Sequence, residues 1–506
     1  MLHDVDTPDR AAFARPFDAC VIGAGPAGIT LARRLAAHGL DVALMEAGGL
    51  DASQESQALA AGEIVGVPFP DLDIARLRFL GGCSNHWNGF CRAFDAADFA
   101  PRAASPGSGW PISRAELDPY AEETIGILDI VPHDDGFPGP EEDHGAFRRI
   151  HYLSSPPTRF NAKYRDDLAA DPRIALGLNA NLVALERDPA GTMVTGARFK
   201  GYADGDPGFP VTAQVYALCT GGIENARLLL NFGIGNDTDQ VGRYFSDHTR
   251  TPESLGEVIL TRPHSTTNQF FAPTEAFMAE HGGLPMLIRI YTKPRAPLGF
   301  GKELARSVQC TLPYGATLAE AVLGDSLKCD VGGGIGDWWV SRDPERYPWG
   351  RVVVNAEAAL NPESRVLLGA ETDRFGLQRV RLDWRLSAAD EETFRTTTLA
   401  FGAWLADQDI GRLRIYDYWT RPDAFAAAGR DESLSSFHHM CTTRMSDDPA
   451  TGVVDRNCRV HGVANLYVGG SSVFASPGFV NPTYTIVQLA LRLGDHISGA
   501  ARHATL

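Results

Sequence analysis

The sequence predicts an α/β fold combined with an antiparallel sheet, and three observations indicate this class. Residues 17–49 contain an apolar run, a glycine-rich turn, a helical pattern and a second apolar run, which is typical of a βαβ unit. Two distant segments, 215–222 and 466–471, again lead from an apolar run into glycines. Period-2 alternation recurs between residues 241 and 430, as expected for an antiparallel sheet with one solvated face.

The βαβ unit is predicted to have strands at Ala19–Ile22 and Asp41–Met45. The turn after the first strand contains Gly23, Gly25 and Gly28, spaced as GxGxxG. The first glycine permits a tight turn, the second lets the backbone approach a pyrophosphate, and the third allows helix and strand to pack closely. The apolar helix positions share one face, and a C′ glycine, Gly39, is expected to end the helix. These positions are Ile29, Ala32, Leu35 and Ala36.

This unit indicates a dinucleotide site, because the positive end of the helix attracts phosphate groups. Glu46 follows the second strand, where its carboxylate can accept hydrogen bonds from an adenosine ribose. Its charge would repel a 2′-phosphate, which favours FAD or NAD over NADP. An ordinary glycine turn is the alternative, but the strand, helix and acid at the right distance favour nucleotide binding.

The segment 78–89, RFLGGCSNHWNG, is too rich in turn formers for a regular element and too aromatic for a simple surface loop. A loop that clasps a planar ligand has both properties. Amides exposed by Gly81 and Gly82 can bind phosphate or flavin carbonyls, and Trp87 supplies an apolar wall. His86 has three interpretations: a packed histidine, a hydrogen-bond partner of the cofactor, or a covalent attachment point to a flavin methyl group.

Composition limits the class of protein. At 506 residues the chain is too long for one core, and 44% hydrophobic with 22% charged residues is ordinary for a globular enzyme. The net charge of −17 argues against nucleic acid or an anionic membrane as partner. We see neither a signal peptide nor a membrane-spanning run, so a cytoplasmic location is expected. The eight cysteines form no CxxC pair, which makes structural zinc and iron–sulfur clusters improbable, and we predict no metal.

Further elements are predicted from periodicity and capping. A helix from Ser113 to Ile130 would begin with a capping box formed with Glu116, and a second helix is expected at Ala388–Asp407. Strands are predicted at 173–185 and 194–199, and alternating strands at 286–293, 351–360, 364–368 and 379–386. We therefore predict a discontinuous nucleotide-binding domain at 1–240 and 432–506, and a substrate-binding domain at 241–431.

The C-terminal segment holds the best candidate catalytic residues. His438 and His439 offer an imidazole base in the pH range needed for alcohol deprotonation, although paired histidines are more often structural. A strand at Leu466–Val468 leads into glycines, and a helix is expected from Pro482 to Ile497. Asn481 is either the N-cap of that helix or a side chain that faces the substrate, and both roles are compatible.

Taken together, these motifs resemble the glucose–methanol–choline (GMC) family of FAD-dependent alcohol oxidoreductases over almost the whole chain. The similarity rests on GAGPAG with Glu46, GGCSNHWNG, CTGGIENARLLL, VGRYFSDH at 241–248, NPESRVLLG at 361–369, and HHMCTTRM through GFVNPT. The resemblance implies a Rossmann-like FAD-binding domain of the p-hydroxybenzoate-hydroxylase-like type with an α+β substrate-binding domain. It also implies that His438 is the catalytic base and Asn481 its partner, with His439 as the second choice.

The residues expected to contact FAD come from every glycine junction and from the loop at 78–88. They are Gly23, Gly25, Pro26, Ala27, Gly28, Glu46, Ala47, Arg78, Gly81, Gly82, Ser84, Asn85, His86, Trp87, Asn88, Val183, Thr220, Gly221, Asn225, Gly470, Ser471, Asn481, Pro482 and Thr483.

Two positions within these motifs, His86 and Cys441, affect the expected chemistry of the site. The loop SNHW resembles the STHW of pyranose 2-oxidases, in which the histidine carries the flavin covalently, so FAD attachment through His86 is open. Cys441 stands where the family usually has glycine; it either fills space, which we favour, or narrows the substrate pocket.

The resemblance to the sugar and polyol branches favours oxidation of a hydroxyl group on a sugar, polyol or amino sugar, with hydride transfer to flavin N5 and oxygen or another acceptor reoxidising the flavin. Choline-like or aromatic alcohols, a non-redox hydroxynitrile lyase and a flavin-free binding protein are the alternatives. A homo-oligomer is also possible.

Overall fold

The computed structural model describes residues 1–7, 10–132, 141, 143–251, 254–261, 268–291, 349–416, 419 and 433–504. All structural statements below concern these residues.

A six-stranded parallel sheet forms the first layer of the protein. Its strands, in spatial order, are Leu2–Asp4, Ile174–Leu178, Val42–Met45, Phe17–Ile22, Ala213–Leu218 and Leu466–Val468. The last three strands each lead into glycines, and they are neighbours in the sheet. Because parallel strands end at the same edge, the three glycine turns lie side by side there.

The helix Pro26–Ala37 covers this sheet and packs against the long C-terminal helix Thr483–Ala504. Its predicted apolar positions are buried, and Gly39 follows it with φ +92°, a conformation that favours glycine. The predicted βαβ unit is therefore confirmed, with the first strand two residues longer than expected at its start.

An antiparallel sheet forms the second large unit. In spatial order its strands are Gly411–Ile415, Gly256–Leu260, Trp349–Ala356, Met286–Tyr291, Asn268–Pro273, Phe147–Ile150 and Asp143–His144, with Thr249–Arg250 also paired to Trp349–Ala356. The helix Ala388–Asp407 has the predicted bounds, and its Phe401 and Trp404 pack on Phe147 of this sheet.

Shorter elements complete the described chain. The remaining α-helices are Gln54–Gln57, Leu72–Ala75, Ala121–Leu128, Phe160–Ala170, Glu224–Phe232 and Glu275–His281. Three small sheets consist of Asn181–Arg187, Val194–Lys200 and Phe209–Val211; of Arg365–Thr372, Gln378–Trp384 and Gly62–Gly66; and of Phe90–Cys91, Leu153–Ser154 and Val131–Pro132.

Three predictions of elements need correction. The helix expected at 113–130 has the Ser113–Glu116 capping box, but it is divided into two 3₁₀ turns and the helix Ala121–Leu128. Pro119 lacks a backbone N–H and disfavours helical geometry in the residue before it, so the helix cannot run continuously. The strand expected at 173–185 is two strands in different sheets, separated at Asn179, which has φ +59°.

The third correction concerns the strands expected at 364–368 and 379–386. They pair with each other and with Gly62–Gly66, and do not join the large antiparallel sheet. Alternation shows which face of a strand is buried, but it does not show which strand is its neighbour. The domain boundaries at 240 and 432 stay a prediction, since the antiparallel sheet also takes strands from residues 143–150. Across the described part of the chain, every helix is too short or too polar to cross a bilayer.

Candidate active site

The three glycine turns open onto a common cavity of about 550 Å³. Gly23, Gly221 and Gly470 line it, each from a different strand of the parallel sheet. This volume lies within the range of about 300 to 1,000 Å³ that is usual for ligand pockets. The cavity therefore lies where the sequence predicts a nucleotide.

The first turn has the geometry of a pyrophosphate cradle. A Cβ atom on Gly23 would lie 2.6 Å from the Cys219 carbonyl oxygen, and one on Gly28 would lie 1.8 Å from the Gly23 carbonyl oxygen. A Cβ atom on Gly25 would meet no atom within 4 Å. Gly23 and Gly28 thus allow close packing within the protein, whereas Gly25 faces open space that a phosphate can enter.

Glu46 lies at the carboxyl end of its strand with only 6% of its surface exposed. Its carboxylate accepts hydrogen bonds from the backbone N–H groups of Ala24, at 2.7 Å, and Gly48, at 3.0 Å. Burial raises the pKa of Glu46 above its ordinary value, against these bonds and the charge of Arg78. Because a carboxylate has about four acceptor positions, this fixed group can still accept ribose hydroxyls.

Most of the predicted cofactor residues line the cavity. They are Gly23, Gly25, Pro26, Ala27, Glu46, Ala47, Arg78, Gly82, Ser84, His86, Trp87, Asn88, Thr220, Gly221, Gly470, Ser471, Asn481, Pro482 and Thr483. Val183 is not among the lining residues; its neighbours Asn181 and Leu182 are. Gly28, Gly81, Asn85 and Asn225 are likewise not among the lining residues.

Two of these non-lining residues hold the glycine turns in shape. Asn225 donates hydrogen bonds to the Gly469 carbonyl and to the Ser472 hydroxyl, and so ties two junctions together. Asn85 donates to the carbonyls of Leu80 and Gly82, which fixes the loop that carries His86. His86 itself is exposed to the cavity, and burial together with Arg159 lowers its pKa.

A buried ion cluster lines part of the cavity and was not foreseen from the sequence. The carboxylate of Glu224 accepts hydrogen bonds from Arg76 at 3.1 Å and from Arg227 at 2.7 Å. Arg227 also donates a hydrogen bond to Asp373 at 2.5 Å. Burial alone would raise the pKa of Glu224, but Arg227, Arg76 and the nearby Arg78 lower it to about 2. Two members belong to the segment CTGGIENARLLL, yet nothing in their spacing indicates partners at 76 and 373.

His438 lies in the cavity wall beside Asn481. Its Nε2 atom is 3.5 Å from the amide nitrogen of Asn481, and its Nδ1 atom is 2.9 Å from Nδ1 of His248. Burial lowers the pKa of His438 well below its ordinary value, and the nearby His248, His439 and Arg250 lower it further. The imidazole is therefore neutral at pH 7 and able to accept a proton.

His439 lies in a different environment. Its ring packs against Phe69 and Phe245, and burial lowers its pKa to about 3. Among the described residues its Nε2 atom has no hydrogen-bond partner, although the residue also lines the cavity. The geometry thus favours His438, which contacts Asn481, over His439 as the base.

The segment before His438 is anchored by Asp247. The carboxylate of Asp247 accepts hydrogen bonds from the Ser435 hydroxyl at 2.6 Å and from the backbone N–H of His438 at 2.9 Å. Phe437 has φ +62°, which is unusual for an aromatic residue and is typical of strained functional sites. This strain turns the chain sharply just before the proposed base.

Asn481 precedes the helix without capping it. The helix begins at Thr483, and the Ile486 N–H donates to the Pro482 carbonyl, so Pro482 occupies the cap position. The predicted helix start at Pro482 is therefore one residue early, and its end extends beyond Ile497 to Ala504. The Asn481 side chain is free to face His438.

Cys441 is fully buried with φ +71°, which explains why glycine suits this position. It does not line the cavity, in agreement with a space-filling side chain.

Comparison with known proteins adds independent support. Residues 361–490 match the family model described as GMC oxidoreductase, and residues 18–106 match the one described as FAD dependent oxidoreductase. The C-terminal part of the chain is thus similar to GMC oxidoreductases, and the N-terminal part to FAD-dependent oxidoreductases. The protein is an FAD-dependent oxidoreductase that acts on alcohols, which confirms the predicted enzyme class, cofactor and fold.

Two relatives match this chain over nearly their full length. The chain is 26% identical to 6'''-hydroxyparomomycin C oxidase of Streptomyces lividus, over 96% of this chain and 92% of the relative. It is 23% identical to the fructose dehydrogenase large subunit of Gluconobacter japonicus, over 95% of this chain and 97% of the relative. A solved FAD-dependent oxidoreductase from Chaetomium thermophilum shares the fold, with TM-score 0.59, 16% identity, and coverage of 96% and 100%.

Proposed function

We propose that this oxidoreductase oxidises a primary or secondary hydroxyl group of a polyhydroxylated small molecule to the carbonyl. His438 is the proton acceptor, and Asn481 is the second contact of the reacting oxygen. The observation that carries this proposal is the approach of His438 Nε2 to the Asn481 amide, 3.5 Å apart in the wall of the predicted FAD cavity.

His438 has the properties of a general base. Its low pKa keeps the ring neutral at pH 7, so a nitrogen lone pair is available to a substrate hydroxyl. Its backbone is fixed by Asp247, which restricts where the ring can lie. A base held in one position avoids the loss of rate that small misplacements cause.

Asn481 completes the contact with the substrate oxygen. Its amide group can donate a hydrogen bond to an oxygen that gains negative charge as its proton leaves. The side chain already lies within reach of His438, so one oxygen placed near both can bind both.

The cavity fits FAD by its glycine cradle, its fixed acid and its volume. Gly23, Gly25 and Gly221 would hold the phosphates, and Glu46 the ribose. When bound, FAD supplies the acceptor of the hydride that leaves the substrate carbon.

Two cavity residues favour a polyhydroxylated substrate. Phe437 is 40% exposed at the cavity and offers an apolar face to a sugar ring. Arg250 also lines the cavity, and among the described residues its buried Nε atom has no hydrogen-bond partner. Its guanidinium can donate to hydroxyl or carboxylate oxygens, while its charge disfavours an ammonium group close to the reacting carbon.

The names of the relatives are compatible with an amino sugar or a neutral sugar as substrate, since one relative is a hydroxyparomomycin oxidase and the other a fructose dehydrogenase. Within the polyhydroxylated class, Arg250 therefore favours a neutral or acidic sugar over an amino sugar whose amine adjoins the oxidised carbon.

The test is anaerobic bleaching of the flavin by matched alcohols, namely a hexose, its amino-sugar analogue, choline and benzyl alcohol. We expect bleaching by the hexose at the lowest concentration, and we expect Arg250→Met to raise the hexose concentration required while improving use of the amino sugar. Preferential bleaching by choline or benzyl alcohol would refute the substrate class. Failure of every alcohol, together with cleavage of a cyanohydrin, would indicate a lyase.

A further inference from the structure

His248 is a buried residue that the proposed function does not yet use. It ends the segment VGRYFSDH and has 0% of its surface exposed. Its Nδ1 atom lies 2.9 Å from Nδ1 of His438, and its Nε2 atom lies 3.4 Å from the Pro477 carbonyl oxygen. The two rings are nearly perpendicular, at 82°, with centroids 5.0 Å apart.

The backbone sets this contact. Residues 246–250 run antiparallel to residues 434–440, with Ser246 bonded to Met440 in both directions and the Arg250 N–H bonded to the Leu434 carbonyl. Asp247 holds the His438 backbone N–H while its neighbour His248 meets the His438 ring. Two consecutive residues thus fix both the main chain and the side chain of the proposed base.

The partners of His248 determine where its proton lies. A carbonyl oxygen only accepts, so the nitrogen facing Pro477 must carry a hydrogen. Burial favours the neutral ring and lowers the pKa of His248 to about 4, so at pH 7 that hydrogen is its only one. Nδ1 of His248 is then an acceptor, and the 2.9 Å contact requires His438 Nδ1 to be the donor.

We propose that His248 is a positioning residue that holds His438 in the Nδ1–H tautomer, leaving His438 Nε2 as the free base that faces Asn481 and the substrate hydroxyl. This inference rests on the proposed role of His438 as proton acceptor.

The same contact acts during the reaction. When a substrate hydroxyl gives its proton to Nε2, His438 becomes an imidazolium, and its Nδ1–H continues to donate to the neutral His248. A hydrogen bond from a charged donor is stronger than one from a neutral donor, so the contact stabilises the cation as it forms. No proton moves to His248.

A neutral acceptor stabilises the imidazolium less than a carboxylate would. The charged groups around the pair are Arg250, His439 when protonated, and Asp247 on the His438 backbone. The Gly478 backbone, which contacts His248, also contacts the carboxyl group of Glu357. This setting keeps His438 a weak base that releases its proton readily in the next half-reaction.

The test compares two substitutions of similar shape, His248→Asn and His248→Leu, in the FAD-bound enzyme. The asparagine carbonyl can replace the Nδ1 acceptor, whereas the leucine methyl group cannot. The first measurement is the ¹⁵N and ¹H NMR spectrum of histidine-labelled enzyme near pH 7.5, with His438 assigned from a His438→Gln variant. We expect His438 to be the Nδ1–H tautomer in the wild type and in H248N, and to lose it in H248L.

The second measurement is the rate of anaerobic flavin reduction. H248L should slow it about 10- to 100-fold with little change in substrate affinity, and H248N should recover most of that loss. In a His438→Ala background, H248L should have almost no further effect, because the residue acts through His438.

The NMR result decides the inference even if no alcohol reduces the flavin, in which case only the proposed function fails. An Nε2–H tautomer of His438 in the wild type would overturn it. So would equal rate losses in H248N and H248L, or an undiminished effect of H248L when His438 is absent. If H248L does not fold, the wild-type tautomer still gives the answer.

Discussion

Replacing either Gly25 or Gly28 with alanine adds one methyl group, but the two positions place that group in different surroundings. Gly25 has φ −83° and ψ −171°, values that alanine adopts without strain, and its Cβ atom would meet no atom within 4 Å. The Gly25→Ala protein should therefore fold as well as the wild type. The methyl group would occupy space that the pyrophosphate needs, and losing one charge-assisted hydrogen bond should weaken FAD binding about 10- to 100-fold.

Gly28→Ala should act on folding itself. Its Cβ atom would lie 1.8 Å from the Gly23 carbonyl oxygen, about half of an ordinary contact distance, and both atoms belong to rigid backbone. Relieving this overlap requires the helix to move away from the sheet, which should cost more than about 3 kcal/mol of unfolding free energy.

The assay measures flavin absorbance per polypeptide, FAD affinity by titration, and unfolding free energy in denaturant without FAD. Gly126→Ala is the matched control, because this exposed glycine lies within the helix Ala121–Leu128 and its Cβ atom meets nothing within 4 Å. It should stabilise the protein by about 0.5 to 1 kcal/mol and leave FAD binding unchanged. Wild-type FAD affinity in Gly25→Ala, or normal stability in Gly28→Ala, would refute the reasoning.

Four further predictions concern the site. His438→Ala should slow anaerobic flavin reduction about 10² to 10⁴-fold with FAD retained, and an unchanged rate would remove His438 from the mechanism. If His86 carries FAD covalently, acid precipitation should leave the yellow colour in the pellet and His86→Ala should release it; colour wholly in the wild-type supernatant contradicts attachment. Because burial depresses the pKa of His438 from 6.5, kcat/KM should stay level above pH 6.5 and fall only at lower pH, and an acid limb at or above 6.5 would contradict this assignment. The folded state should also lose stability as pH falls below about 6.5, because the pKa values of His248, His438 and His439 are depressed and the unfolded chain takes up those protons first. The pKa values of Asp247 and Glu357 are raised, so these two carboxyl groups have the opposite effect on stability.

Local physics made much of this protein predictable from its sequence. The βαβ unit depends on periodicity over a few turns and on glycines whose φ angles other residues rarely adopt, such as Gly23 at +99°. The helix Ala388–Asp407 is defined by its own capping box and by a buried face that recurs at helical spacing. Three strands ending in glycines already indicated one shared site, because parallel strands end at the same edge.

Tertiary structure decided what depends on contacts between distant residues. His248 and His438 are 190 positions apart, and the ion pair of Arg227 with Asp373 spans 146 positions. The hairpin at 365–384 found its partner strand at Gly62–Gly66. The sequence determined the local conformations and the chemical groups, because dihedral preferences and hydrophobic periodicity act between near neighbours. The pairing of strands and the facing of side chains required the folded chain, because those contacts depend on the packing of the whole molecule.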